Sequence, residues 1–574
     1  MSTLVVIVCY LCLLLALGFY SSRLFRGTSK DYFVASHSIG PFLLLMSVFG
    51  TTMTAFALVG STGKSFERGI GTYGLMASIS GLVHAAVFFL IGIRLWAFGK
   101  KYGYVTQIQF FRARFESDGL GYLLFPILVL LVVPYLLIGI IGAGKTIEPV
   151  TAGAFPSIFT DPSIPAWLGG IPPWLTGLAV CVVVLAYVFM GGSRGAAYAN
   201  TFQTIVFMFM GLVAFVFIVK ALGGIDNAGN VAARITEDGK IVQDYRFDKK
   251  AEALAENVPP KPIGRLLESD RAKDLANVQP HFTRTPIEVE FKKKNPKAAK
   301  DASQPKLITF ERQLGIPFLT FLTYLFIPLS VGMFPHLFQH WLTAKSAKAF
   351  RLTVIAHPLC IMVVWVPCVL IGAWASGLLP PGIPPPAVLS AMLKLLVGDP
   401  ILTGLLTAGV LAAIMSSLDS QFLCMGTIFT NDIVLHRAGK EKYSDKQIIF
   451  IARAFIVGIV VLTYALAMLA KDANVFDLAI WCFSGFAALF PIVVAALYWK
   501  RATKEGAYAG IIAAMAVWLY YFHQSGYGGE YVVGPGIVPA AICFVASAFA
   551  LVAVSLVTKP PSKETLDKFF PDAA

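Results

Sequence analysis

The chain has 574 residues, of which 57% are hydrophobic and only 14% charged, and its mean hydropathy is +0.73. A soluble domain carries about a quarter charged residues, so the composition excludes an ordinary soluble protein. The formal net charge of +14 could indicate nucleic acid binding. The basic residues lie in short connections between apolar runs, however, which is typical of a membrane protein, so we expect no nucleic acid partner.

Apolar runs of about 20 residues recur along nearly the whole chain and predict an all-α polytopic membrane protein. The first run has no basic segment before it and no small-residue cleavage site after it, so we interpret it as a retained helix. About 13 transmembrane helices are expected by hydropathy. Their predicted limits are 3–22, 40–62, 72–98, 119–145, 173–190, 197–222, 313–340, 352–378, 401–434, 448–470, 476–498, 506–522 and 535–557.

Basic residues are concentrated in alternate connections, which predicts the orientation of the chain in the bilayer. The connections with few basic residues hold little beyond Lys64, Arg68, Lys394 and Lys471. Positive charge stays on the cytoplasmic side, so we expect the N-terminus outside and the C-terminus in the cytoplasm. The connections with many basic residues hold Arg23, Arg26, Lys30, Lys100, Lys101, Arg112, Arg114, Arg194, Lys345, Lys348, Arg437, Lys440, Lys500, Arg501, Lys559 and Lys563.

Residues 223–312 form a long polar connection that is predicted to lie outside. Within it, residues 234–242 alternate in polarity around Asp238-Gly239, which is typical of a β-hairpin. The segment is either an insertion that the fold tolerates or an external cap or partner site, and the sequence leaves both open.

Two predicted spans carry helix breakers at depth. The second contains Gly50 and three threonines within five residues, and the seventh contains Pro328, Gly332 and Pro335. Non-helical backbone in a membrane is tolerated only where it is buried in protein or lines a cavity. If spans two to six and seven to eleven are inverted halves, each broken span is the first helix of its half. Transporters built from repeats place their binding sites there.

A polar cluster interrupts the ninth apolar run at Ser416, Ser417, Asp419 and Ser420. Unsatisfied polar groups in hydrocarbon cost several kcal/mol each, so these side chains need partners. Hydroxyl and carbonyl oxygens without Cys or His are hard ligands, which suit a hard cation. The cluster therefore predicts a sodium site.

Five segments together resemble signatures of the sodium:solute symporter family. Single matches would be weak evidence, but all five occur in order and at fitting spans. They are Asp31–Ser38, Gly191–Arg194 with Asn200–Gln203, Ala413–Asp432, Ser484–Phe486 with Pro491, and Trp499–Arg501 with Gly506-Ala507.

The resemblance implies a LeuT-like five-plus-five inverted-repeat core, similar to the transporters first described for leucine. Spans two to eleven would form this core. The expected organisation is an N-terminal extra helix and connection at 1–39, a first repeat at 40–222, the extracytoplasmic insertion at 223–312, a second repeat at 313–498, C-terminal extra helices at 499–558 and a cytoplasmic tail at 559–574.

The resemblance also implies an activity: sodium-coupled import of a small solute across the plasma (inner) membrane. Phe334-Pro335-His336 resembles the pair found in relatives for proline, pantothenate or acetate, which favours an organic carboxylate or amino acid. A sugar or another polar solute is the alternative, followed by a transporter-like sensor or a sodium-independent uniporter. The sequence shows no catalytic constellation, so we expect no enzyme, and it indicates no obligatory protein partner.

The family's site residues carry over to named positions of this chain. Sodium, as the coupling ion, is expected at Gly50, Met53, Ala413, Ser416 and Ser417. Asn200 stands where many relatives have an acid linked to a second cation, so we favour one sodium, and Asp419 is a candidate to compensate. His84, alone on an apolar span, is interpreted as a core histidine. The solute cavity is expected to be lined by Thr52, Phe56, Tyr135, Ile327, Ser420, Trp481 and Ser484.

Overall fold

The computed structural model describes residues 2–23, 25–76, 79–152, 170–233, 287–291, 306–310, 316–379, 383–471 and 473–570. Within them the fold is almost wholly helical. The main helices are α1 (Ser2–Ser22), α2 (Pro41–Thr52), α3 (Phe56–Arg68), α4 (Thr72–Tyr102), α5 (Asp118–Val150), α6 (Pro173–Ala221), α7 (Phe318–Gly332), α8 (Pro335–Thr343), α9 (Ala347–Ala375), α10 (Pro400–Ala438), α11 (Asp445–Leu469), α12 (Val475–Tyr498), α13 (Lys504–Gln524) and α14 (Pro539–Val557).

Shorter elements connect or flank these helices. Two strands, β1 and β2, pair in antiparallel fashion, with Ile287 opposite Phe310. The hairpin expected at 234–242 lies outside the described residues. The shorter elements are helices Ser29–Val34, Gln107–Phe115, Ile225–Ala233, Pro385–Val397 and Lys563–Phe569, and strands β1 (Ile287–Phe291) and β2 (Lys306–Phe310).

Ten helices of the described residues are long and apolar enough to cross a membrane, and two bent pairs add up to two more crossings. Helix α6 has 49 residues, or about 74 Å at a rise of about 1.5 Å per residue, which is more than twice the thickness of the hydrocarbon core. Its backbone leaves helical geometry at Gly192 (φ 55°, ψ −148°). If α6 is counted as two crossings and each bent pair as one, the total equals the 13 transmembrane helices expected from the sequence.

Both expected helix breaks are confirmed. Helices α2 and α3 meet at 55°, and α7 and α8 meet at 50°. The first break differs from the expected one, because α2 continues past Gly50 to Thr52 and the backbone turns at Met53 (φ −89°, ψ 86°). The glycine serves a close approach instead: a Cβ on Gly50 would lie 2.3 Å from Thr204 Oγ1.

Helix α10 lies at the centre of the bundle. The most apolar part of this helix is 83% buried, against 28% for α1 and α6. It packs against α6, α1, α5 and α2, so its polar side chains face protein on nearly all sides. The predicted polar cluster is therefore surrounded by other helices, where polar groups can find partners.

Two of the signature segments contact each other beside the break in α6. Arg194 forms an ion pair with Asp31 at 2.7 Å, and the Ser193 hydroxyl donates to the Phe33 carbonyl. Burial alone would raise the pKa of Asp31. Hydrogen bonds from Arg194, the Arg26 N–H and Ser36 nevertheless hold that pKa below its ordinary value. The carboxylate is thus kept charged, and it fixes the connection after α1 to the middle of α6.

Gly192→Ala should destabilise the protein by about 1–3 kcal/mol, because its backbone is in the left-handed region and a Cβ would lie 2.8 Å from the Tyr32 carbonyl oxygen. Thermal unfolding of the purified protein measures the effect. Gly211→Ala in the same helix is the matched control: its Cβ meets nothing within 4 Å, so stability should rise slightly. Equal midpoints for the two variants would contradict this account.

Candidate ion and solute site

Three of the oxygens expected at the sodium site are in contact. Ser416 Oγ lies 2.8 Å from the Gly50 carbonyl oxygen and 2.9 Å from the Ala413 carbonyl oxygen. Gly50 is in the last turn of α2, where carbonyls have no partner within the helix. The Ser416 hydroxyl can donate to only one of them at a time. This buried cluster therefore has more hydrogen-bond acceptors than donors, as a cation site requires.

Met53 directly follows α2 and Ser417 lies on α10, and each forms a hydrogen bond within its own segment. The Met53 N–H donates to Phe49 at 2.9 Å and closes the last turn of α2. The Ser417 hydroxyl donates to the Ile414 carbonyl at 3.0 Å, as serines in membrane helices often do. Donating this proton leaves the lone pairs of the Ser417 oxygen able to face a cation.

Asp419 and Asn200 belong to a second buried polar network. Asp419 accepts hydrogen bonds from the Tyr187 hydroxyl at 3.0 Å and from the Ser420 hydroxyl at 2.9 Å. Having donated its only proton, Ser420 Oγ can accept from Asn200 Nδ2 at 3.0 Å and from His340 Nε2 at 2.9 Å. Ser420, which the resemblance places at the solute cavity, is held in this network.

One cavity adjoins the break between α2 and α3. Its volume of about 30 Å³ has room for one or two water molecules, so entry of a solute requires the helices to part. Four of the expected solute residues line it, namely Thr52, Phe56, Tyr135 and Ile327. The other lining residues are Ser80, His84, Tyr324, Pro328, Ser330, Val331, Phe334, Trp365 and Phe483.

Trp481 and Ser484 line a different cavity, which lies towards the connections that are predicted outside. Trp481 Nε1 donates to the Gly529 carbonyl at 2.8 Å, in the loop between α13 and α14. Tyr324 lines both cavities and therefore separates them. Of the expected solute residues, Trp481 and Ser484 lie at this second cavity, which we call the outer cavity.

A cluster of charges lies at this outer cavity. Lys64 is almost fully buried and its Nζ is 3.1 Å from Asp477 and 2.9 Å from Glu530. Arg68 also pairs with Glu530, at 2.6 Å. Sequence reasoning recorded Lys64 and Arg68 only as loop charges, because nothing in the local pattern links them to acids more than 400 residues away.

A bundle with two bent helices, an acceptor-rich oxygen cluster at one break and a cavity beside it defines a multi-pass secondary transporter. The chain belongs to the sodium:solute symporter family, whose model matches residues 32–154 and 170–514. Family membership makes it a sodium-coupled symporter of a small solute, and its relatives are transporters rather than enzymes.

Individual relatives are distant but span nearly the whole chain. The sodium/proline symporter of Staphylococcus aureus (strain JH9) is 23% identical over 572 residues, covering 97% of this chain and 93% of that protein. Among solved structures, a Na+-coupled sialic acid symporter in a substrate-bound outward-open state is 17% identical, with a TM-score of 0.64 and coverage of 98% and 99% of the two chains. This likeness confirms the five-plus-five fold.

Ser416→Ala should raise the sodium concentration for half-maximal binding by about 10- to 100-fold, because a bond to a charged group contributes about 1.5–3 kcal/mol. Sodium titrations of the purified protein, followed by intrinsic fluorescence, measure it. Thr407→Val is the control on the same helix: its hydroxyl donates to the Thr403 carbonyl one turn back, at 2.7 Å. Sodium dependence that shifts equally in both variants would argue against a role for Ser416.

Proposed function

We propose that the protein imports a small organic carboxylate or amino acid together with sodium, by alternating access in the plasma (inner) membrane. The observation that carries the proposal is the position of Ser416 Oγ between the Gly50 and Ala413 carbonyl oxygens. Gly50, Met53, Ala413, Ser416 and Ser417 would hold the ion. Thr52 and Phe56, which border the same break, line the cavity for the solute.

An anionic group on the solute fits the polarity of this cavity. Helix α3 begins at Phe56, and the N-terminus of a half-helix carries partial positive charge towards the break. The hydroxyls of Thr52, Ser80 and Ser330 and the imidazole of His84 are polar groups of the lining. The amino acid named for the S. aureus relative also favours this class.

A sugar or another polar solute is the second candidate. Its support is the aromatic lining, since flat rings pack well against sugar faces and hydroxyls bond to their edges. Phe56 stands at right angles to Phe483, with 5.1 Å between ring centroids, and Tyr135 contacts Phe483 at 5.0 Å. Direct binding measurements separate the two candidates.

The driving force is sufficient without ATP. Inward movement of one charge across 100 mV supplies about 2.3 kcal/mol, and a tenfold sodium gradient adds about 1.4 kcal/mol. Together they support a solute gradient of several hundred-fold, which is the range that a nutrient importer requires.

The ionic contacts support the proposed orientation, with the N-terminus outside and the C-terminus cytoplasmic. Lys64 and Glu530 pair across two connections that are both predicted outside. At the opposite end Arg112 pairs with Asp432 at 3.3 Å, and Glu116 bonds to Ser562 of the predicted cytoplasmic tail. Each contact joins segments that the charge distribution assigns to the same side.

We infer that one sodium moves with each solute, because Asn200 replaces the acid that many relatives carry. Sodium-dependent binding should then show a Hill coefficient near one, and Asp419→Asn should leave it there. A wild-type coefficient near two that falls to one in Asp419→Asn would instead place a second cation at Asp419. Asn200→Asp is the complementary variant: Asn200 Oδ1 is buried and has no hydrogen-bond partner among the described residues. An added acid there should raise the coefficient.

A thermal-shift screen of small carboxylates, amino acids and sugars in sodium and in potassium tests the function. A ligand at 100 times its Kd stabilises the folded state by about 2.7 kcal/mol. We expect a carboxylate or amino acid to raise the unfolding temperature in sodium alone. A sugar that does so supports the second candidate, equal shifts in both salts indicate a uniporter, and no shift in either salt counts against a symporter.

A further inference from the structure

A pair of histidines stands at the wall of the solute cavity. His84 on α4 lines the cavity, and its Nδ1 lies 3.2 Å from Nε2 of His357 on α9. Both residues are buried, with 7% of His84 and none of His357 exposed. The sequence predicts a satisfied core histidine at position 84, and the buried side chain does have a polar partner. The structure adds that His84 also lines the cavity.

Aromatic packing holds His357 in place. Its ring meets Phe88 edge-on, with 4.9 Å between centroids, and Phe49 in the same way at 5.4 Å. Its Nδ1 has no hydrogen-bond partner among the described residues. Among the described residues, the hydrogen-bond contact of His357 is the one to His84, so one of the two rings must donate its N–H to the other.

The direction of that bond follows from the cost of each alternative. If His84 donates from Nδ1, then neutral His357 carries its own proton on Nδ1, and that buried N–H has no acceptor. If His357 donates from Nε2, its Nδ1 is an unprotonated acceptor. In proteins, buried N–H groups without an acceptor are rarer than buried acceptors without a donor, so the second arrangement is favoured. His84, which lines the cavity, then carries its proton on Nε2.

We propose that His84 is a solute-binding residue whose Nε2–H donates a hydrogen bond to a carboxylate oxygen of the solute. His357 is a positioning residue that fixes the tautomer of His84. The inference rests on the proposed function, and it names the group that selects the acid. The Thr52 hydroxyl already donates to the Phe49 carbonyl at 2.9 Å and can only accept from a solute, whereas this imidazole presents a donor. A bond to a charged oxygen is about twice as strong as one to a neutral oxygen, so the donor favours a carboxylate over its ester.

The test compares the binding of acids with that of their methyl esters. The probes are L-proline and the other carboxylates and amino acids of the thermal-shift panel, each with its ester, titrated in sodium. His84→Leu should weaken binding of the acid by about 10- to 100-fold and bring the acid-to-ester ratio close to one. His84→Gln keeps an N–H donor, so it should retain most of the affinity and the preference.

Variants of His357 test the positioning role. His357→Leu should lower the acid-to-ester ratio by about three- to tenfold, because His84 is then free to change tautomer. His357→Gln offers an amide N–H to His84 and should restore the ratio. His523→Leu, on the exposed end of α13, should change nothing. Stability in sodium alone, measured for every variant, shows that the protein is folded.

The outcomes separate the two proposals. If no acid of the panel stabilises the wild-type protein in sodium, the proposed function fails and the inference fails with it. If the wild type binds an acid in sodium, and folded His84→Leu and His84→Gln keep the same acid-to-ester ratio as the wild type, the inference alone is overturned. A ratio lost equally in His84→Leu and His84→Gln would assign His84 to packing and would also overturn it.

Discussion

The contact between the Gly50 carbonyl and the Ser416 hydroxyl joins the end of the broken helix α2 to the central helix α10. A helix that stops inside a membrane exposes carbonyl groups that water cannot reach, and each costs several kcal/mol unless it finds a partner. Helix α2 stops at Thr52, and α10 supplies a hydroxyl at 2.8 Å. The α3 end is satisfied locally, because Thr54 Oγ1 accepts a hydrogen bond from the Phe56 N–H at 3.0 Å. The break is stable for these reasons, and acceptor oxygens remain for an ion.

Ion pairs join different helices on either side of the small cavity beside the break between α2 and α3. On the side predicted to lie outside, Glu530 pairs with Lys64 on α3. The loop between α13 and α14, which carries Glu530, therefore covers the outer cavity. On the side predicted to be cytoplasmic, Arg112 pairs with Asp432 in the last turns of α10. Between these two ion pairs, the cavity beside the break between α2 and α3 has a volume of only about 30 Å³. The Arg112–Asp432 pair is buried, whereas Glu530 in the other pair is half-exposed. Separating the buried pair would be costly unless water or a ligand replaced the partner.

Local signals in the sequence predicted most of the fold. Apolar runs gave the spans, and glycine and proline marked the two breaks, because both kinds of signal depend on neighbouring residues. The exact end of α2 could not be predicted, since Gly50 is required by Thr204 across a helix interface rather than by the turn itself. The oxygens of Gly50 and Ser416, 366 residues apart, were placed together by family resemblance and not by pattern.

The solute site was less predictable than the ion site, for a physical reason. Side chains along one helix point to different surroundings within a single turn. Phe483 therefore lines the cavity beside the break between α2 and α3, while its neighbour Ser484 lines the outer cavity. The packing of other helices decides which face is which, and no local pattern records it. The histidine pair is the extreme case, since His84 and His357 are 273 residues apart and each alone is typical of a core residue.

Helix α2 borders both the proposed ion site and the proposed solute cavity. Three successive features of its last turn point to different functions: Phe49 packs against His357, the Gly50 carbonyl meets Ser416, and Thr52 lines the cavity. Protein interiors are close-packed, so a shift of this turn cannot move one feature without the others. Sodium binding at Gly50 would fix the turn, and with it the aromatic contact that holds the histidine pair. If the same few residues of backbone form both proposed sites, the ion and the solute bind with a shared coupling free energy, and the solute binds well only when the ion is present.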